Sequence, residues 1–143
     1  MEEYVKLTEA EKEFARQLLT NIPFASLIGI ELVELEGGEA VCLLKVEEKH
    51  LRGDNFLHGG VTASLIDTAT AFAVGSVLDK LGNAVTVDLT IHYLRPVIRE
   101  ATAKAKVLRK GKRLLIVSAD VFNEDGELAA TALTTYSRIN LTK

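Results

Sequence analysis

Residues 59–78, GGVTASLIDTATAFAVGSVL, restrict the fold more than any other part of the chain, being small or apolar on every helical face with one charge, Asp67. Such a stretch has to be enclosed. Its length would permit a membrane span, but Thr62, Ser64, Thr68, Thr70, Ser76 and Asp67 put too many polar groups in it. A helix in the middle of a soluble core, buried on every side, is the expectation.

The flanking sequence supplies what could enclose it. Ile30 to Glu36 and Ala40 to Glu47 are strand-like runs joined by Glu36-Gly37-Gly38-Glu39, a hairpin signal. After a Gly82-Asn83 turn, residues 84–95 alternate, with Val85, Val87, Leu89, Ile91 and Tyr93 on one face and Thr86, Asp88, Thr90 and His92 on the other. Residues 102–109, 113–123 and 127–138 repeat the strand signal, with Lys110-Gly111-Lys112 and Glu124-Asp125-Gly126 as turns. Ahead of all this, Thr8 and Glu11 form a capping-box pattern, and Phe14, Leu18 and Leu19 give a helical stripe that ends near Asn21 and Pro23. The predicted architecture is α+β: an N-terminal helix over about 8–21, and an antiparallel sheet of about six strands wrapped around one long central helix. Ala103, Ala105, Ala119, Ala130 and Ala132 are small enough for strands that approach that helix closely.

At 143 residues the chain is the size of one domain, 1–143, able to bury a core without disulfide or metal. A net charge of −3 with both signs scattered argues against binding nucleic acid or a membrane surface by bulk electrostatics. Cys42 is alone between Val41 and Leu43, so it packs as a small hydrophobe and fits a reducing, cytoplasmic setting. The start, MEEYVKLTEAEKEF, is acidic where a signal peptide would be basic and then apolar. His50 and His92 have no clustered acid or thiol at ligand spacing and read as surface residues, so neither metal nor cofactor is implied.

Several short motifs then stand in a fixed order: Asn55-Phe56-Leu57-His58-Gly59-Gly60, Asp67 eight positions after the first glycine, Val85-Thr86-Val87-Asp88-Leu89, Tyr93-Leu94-Arg95-Pro96, and a last strand with Ala130-Thr131-Ala132. In this order the chain resembles the hotdog-fold acyl-CoA thioesterases, in particular the phenylacetate-pathway subgroup, over residues 24–138. The resemblance implies a general base or nucleophile at Asp67, a carbonyl-polarising amide at Gly59, a histidine at the helix start at His58, and a water-placing hydroxyl at Thr86. Arg52 stands where many members carry Asn. Asn55 stands where glycine is common, and Asn tolerates the left-handed backbone that glycine would supply.

The residues can perform that chemistry. A helix N-terminus offers unpaired N–H groups and a positive dipole end to an oxyanion, and Gly59 and Gly60 let a substrate reach the backbone. Desolvation among apolar neighbours would strengthen Asp67 as a base. Gly59 and Asp67 are about 12 Å apart along a helix at its usual rise, too far for both to reach one carbonyl. A homodimer with antiparallel helices and two shared sites is therefore expected. The polar face of Thr86, Asp88, Thr90 and His92 would meet solvent or a wet contact between dimers, which leaves room for a tetramer. Arg109, Lys110, Lys112 and Arg113 form either a solvated turn or, with Arg52 and Arg95, a clamp for CoA phosphates. The activity so implied is hydrolysis of a small or medium acyl-CoA. An acyl-thioester hydratase or dehydratase, and a non-catalytic acyl-CoA binding module, are the alternatives.

Overall fold

The computed structural model describes residues 4–79 and 83–139. The first helix, α1 (Glu9–Thr20), carries the full capping box: Thr8 Oγ1 accepts from the Glu11 N–H, and the Glu11 carboxylate accepts from the Thr8 N–H. It docks on the sheet through Ala15 and Leu19. Phe14, expected on the packed stripe, is 67 % exposed, because the docking face is centred on the i, i+4 pair Ala15 and Leu19. A short helix α2 (Pro23–Ile28) follows, opened by proline and closed by Gly29 at φ 82°.

Strands β1 (Ile30–Glu36) and β2 (Glu39–Lys45) form the expected hairpin, with Gly38 at φ 85° in its turn. The central helix α3 spans Gly59–Gly75. It is followed by β3 (Ala84–Tyr93), β4 (Glu100–Lys110), β5 (Leu114–Phe122) and β6 (Leu128–Arg138). Gly82 of the expected turn before β3 lies outside the described residues. The six strands form one antiparallel sheet in the order β1-β2-β4-β5-β6-β3. Helix α3 lies across its inner face, chiefly on β2, β4 and β5.

Small inward residues make that approach possible. Ala103, Ala105, Ala119, Ala130 and Ala132 are all buried, as is Cys42. Burial also pushes the Cys42 thiol up to about 12, so it remains a neutral packing group. The helix itself is not enclosed on every side. Leu65, Ile66, Ala69, Phe72 and Ala73 face the sheet and are buried, whereas Gly60, Ser64, Asp67, Ala71 and Gly75 form a stripe that the single chain leaves partly open.

Strand β3 also departs from simple alternation. Thr86 pairs with Tyr136 and Asp88 with Thr135, so Val87 is an extra residue with no partner, a β-bulge. The bulge changes the phase of the strand. Thr86 before it and Leu89, Ile91 and Tyr93 after it share the inner face, while Val85 and Val87 are exposed rather than inward. Thr86 thus leaves the polar outer face where strict alternation puts it.

Candidate active site

The loop before α3 is held tightly enough to define where the helix begins. Arg52 N–H donates to the Phe56 carbonyl at 2.9 Å, and Asn55 closes the turn at φ 66°, the left-handed conformation anticipated for it. His58 N–H donates to the His50 carbonyl at 2.9 Å. His50 is itself buried at 1 % exposure rather than on the surface, because both ring nitrogens are used by backbone: Nδ1 accepts from Glu47 N–H and Nε2 meets the Ile28 carbonyl. His92 is exposed, as expected.

His58 is the N-cap of α3, with extended φ −63° and ψ 133°, and its Nδ1 accepts from Gly60 N–H at 2.8 Å. The N–H groups of Val61 and Thr62 both reach the His58 carbonyl. Among the described residues the Gly59 N–H has no hydrogen-bond partner, so one donor of the helix start is left unpaired. Tyr93 Oη donates to the Gly59 carbonyl at 2.8 Å and packs its ring where a Gly59 side chain would begin. Burial raises the Tyr93 phenol above its ordinary range. A cleft of about 670 Å³ opens beside this turn, bordered by Arg52, Phe56, Gly59, Gly60, Tyr93 and Arg95. Arg52 is ion-paired with Asp54 at 2.8 Å, and Arg95 donates to the Leu128 carbonyl at 2.8 Å.

Asp67 does not border that cleft. Its carboxylate is half-buried on the open stripe of α3, and Oδ1 accepts from Thr86 Oγ1 at 2.8 Å. The bulge at Val87 is what turns Thr86 toward the helix. Tyr136, which the sequence motifs did not single out, completes the cluster: its Oη lies 2.8 Å from Thr70 Oγ1, 2.9 Å from the Asp67 carbonyl oxygen and 3.3 Å from Oδ1. Burial, its largest cause, pushes the Tyr136 phenol up to about 12. A tyrosine on the inward phase of the last strand was the available signal, but its partner is 69 residues away in the chain.

The sequence-predicted residues therefore fall into two groups. Gly59, Gly60, His58, Arg52 and Arg95 gather at the start of α3, with Asn55 shaping the loop; Asp67 and Thr86 meet two turns further along the helix. The basic turn of Arg109, Lys110, Lys112 and Arg113 is not joined to Arg52 and Arg95 within one chain. Tyr93 pairs with Ala130 at one end of the sheet and Leu114 pairs with Ser137 at the other. Seven residues of β6 separate them by about 24 Å.

A six-stranded antiparallel sheet around one long central helix is the hotdog fold. The chain belongs to the thioesterase superfamily, whose family model matches residues 54–130. It is a thioester hydrolase. The chain is 32 % identical over 128 residues to acyl-coenzyme A thioesterase 13 of Homo sapiens, covering 87 % of this chain and 91 % of that one. It is 30 % identical over 146 residues to the medium/long-chain acyl-CoA thioesterase YigI of Salmonella typhimurium, covering 90 % and 93 %. Among solved structures, the PaaI protein from the phenylacetic acid degradation operon of E. coli superposes with a TM-score of 0.82 at 30 % identity, covering 90 % of this chain and 93 % of that one.

Proposed function

We propose that the protein hydrolyses a small or medium acyl-CoA, aryl acids of the phenylacetyl type included, to free acid and CoA, in a homodimer whose two sites are each shared. The observation that carries this is the division of the site. The free Gly59 N–H and the Asp67 carboxylate stand about 12 Å apart along the axis of α3, too far for both to reach one carbonyl. Two antiparallel copies of α3 related by a two-fold axis bring Gly59 of each chain to Asp67 of the other. The unpaired outer edge of β3 and the exposed Val85 and Val87 support the same assembly, since a lone chain gains by covering such an edge.

In such a site Asp67 takes a proton from water as the water oxygen bonds to the thioester carbon. The carbonyl electron pair moves onto its oxygen, where the Gly59 N–H of the other chain holds it. Collapse of this intermediate breaks the C–S bond, and the CoA sulfur leaves as a thiol with the proton Asp67 had acquired. Thr86 orients the carboxylate, and Asn55 and His58 set the backbone that presents Gly59. Arg52 and Arg95 then border the site from one chain and the basic turn 109–113 borders it from the other, where CoA phosphates can pair with either. A reducing, cytoplasmic setting suits the lone, buried Cys42.

Subunit complementation tests the shared site. Gly59→Pro and Asp67→Ala homodimers should each fall at least about a hundredfold in turnover of acyl-CoA. Random mixing should restore about a quarter of wild-type turnover, one intact site in each heterodimer. A mixture of confirmed heterodimers with no activity would overturn the sharing, and an active Asp67→Ala homodimer would overturn the role of Asp67.

A further inference from the structure

Tyr136 is nine-tenths buried and more, at 2 % exposure, yet its hydroxyl is aimed at the one half-open carboxylate of α3. Strand register puts it there: Tyr136 pairs with Thr86, so two hydroxyls from neighbouring strands arrive on the same side of Asp67. A phenol carries one proton. Among its neighbours the Asp67 carbonyl oxygen at 2.9 Å and Oδ1 at 3.3 Å are acceptors only, so the proton is directed to Asp67, chiefly to the carbonyl and more weakly to Oδ1, while the hydroxyls of Thr70 and Thr86 are able to donate in return. Thr70 is fully buried one turn beyond Asp67 and cannot serve solvent. Both hydroxyls that meet the carboxylate, Thr86 and Tyr136, converge on Oδ1. Oδ2 has no hydrogen-bond partner among the described residues.

We infer that Tyr136 is a positioning residue that holds Asp67 with Oδ1 turned toward the sheet and Oδ2 presented on the open stripe, making Oδ2 the oxygen that meets water and substrate. This rests on the reading of Asp67 as the acting carboxylate and adds which of its oxygens acts and what fixes it. The aromatic ring suits the task because packing in the core locks its two torsions, so the hydroxyl cannot follow the carboxylate if that rotates. Thr86, on an edge strand and exposed, offers a less rigid support.

The test is Tyr136→Phe, which keeps the ring and removes the hydroxyl. No buried donor is orphaned, because Thr70 Oγ1 already lies 2.9 Å from the Ile66 carbonyl. Loss of a hydrogen bond shared between the Asp67 carbonyl and Oδ1 should lower kcat about fivefold with KM changed by less than about twofold, and the melting temperature should hold. Thr70→Val, which removes the hydroxyl that orients the phenol, should lower kcat in the same way by a smaller factor; it decides the matter if Tyr136→Phe does not fold. A folded Tyr136→Phe protein with wild-type kcat, a loss confined to KM, or unchanged kcat in Thr70→Val when that is the folded variant, would each overturn the inference. Asp67→Asn measured alongside separates the two readings. If it retains wild-type turnover, the role of Asp67 fails and this inference with it; if it is inactive while Tyr136→Phe is fully active, the role of Tyr136 alone fails.

Discussion

Replacing Gly59 by proline removes the unpaired N–H of the helix start and sets a ring carbon in its place. Gly59 is the first residue of α3, where proline is favoured because the N–H has no intrahelical acceptor and the fixed φ already suits a helix. The preceding residue must be extended, and His58 already is, at φ −63° and ψ 133°. A Cβ at this position meets the Tyr93 ring at 3.4 Å, an ordinary contact that Gly59→Ala makes equally. Alanine keeps the N–H, whereas proline removes it and fills its direction with Cδ, so the ratio of the two variants reads whether an oxygen meets this amide. Loss of one oxyanion donor costs about 2.7–4 kcal/mol, or about 10²–10³ in kcat. The assay is release of CoA thiol from a panel of acyl-CoAs, with melting temperature and dimer content measured on the same preparations. Gly59→Ala should retain most of its turnover and Gly59→Pro should fall by the stated factor. A folded, dimeric Gly59→Pro enzyme within about tenfold of Gly59→Ala would refute the argument that this amide holds the oxyanion.

Two other outcomes follow from the same geometry. Thr86→Val preserves β-branching but deletes a donor to Oδ1, so kcat should fall about five- to tenfold while Thr86→Ser stays within about twofold; equal losses in both would show that shape rather than the hydroxyl matters. Stability should decline on the alkaline side. The Cys42 thiol titrates at 9.0 in the free side chain and at about 12 in the fold, and Tyr136 moves from 10.0 to about 12. The unfolded chain ionises first, so this contribution is intact below pH 9 and is lost by about 1.4 kcal/mol per pH unit per group as pH rises toward the folded values. Urea midpoints measured across that range should fall less steeply for Cys42→Ala; an unchanged slope would exclude the thiol as the source.

Much of the fold is legible because its signals are local. The Thr8 and Glu11 cap, the Gly37-Gly38 hairpin, the αL position of Asn55 and the strand limits depend on residues within a few positions of one another. So does the N-cap His58 before two glycines, and the inward alanines follow from strand alternation once a buried helix is assumed. The misreadings have a common cause in long-range packing. His50 looked like a surface histidine because nothing near it in the chain offers its Nε2 an acceptor; the Ile28 carbonyl, 22 residues away, does. Phe14 has the right spacing for the buried stripe, but the docking angle of α1 selects Ala15 and Leu19 instead.

The sequence by itself determined the elements and marked Gly59 and Asp67 as the candidates, because one acid stands alone in a small-residue helix behind a His-Gly-Gly start. Only the tertiary structure decided how Asp67 is held. That depends on the bulge at Val87, which turns Thr86 inward, and on the β3–β6 register, which sets Tyr136 opposite Thr86. Both are properties of how two strands pair. A bulge is one residue of mismatch between partners, and it has no signature in either strand alone.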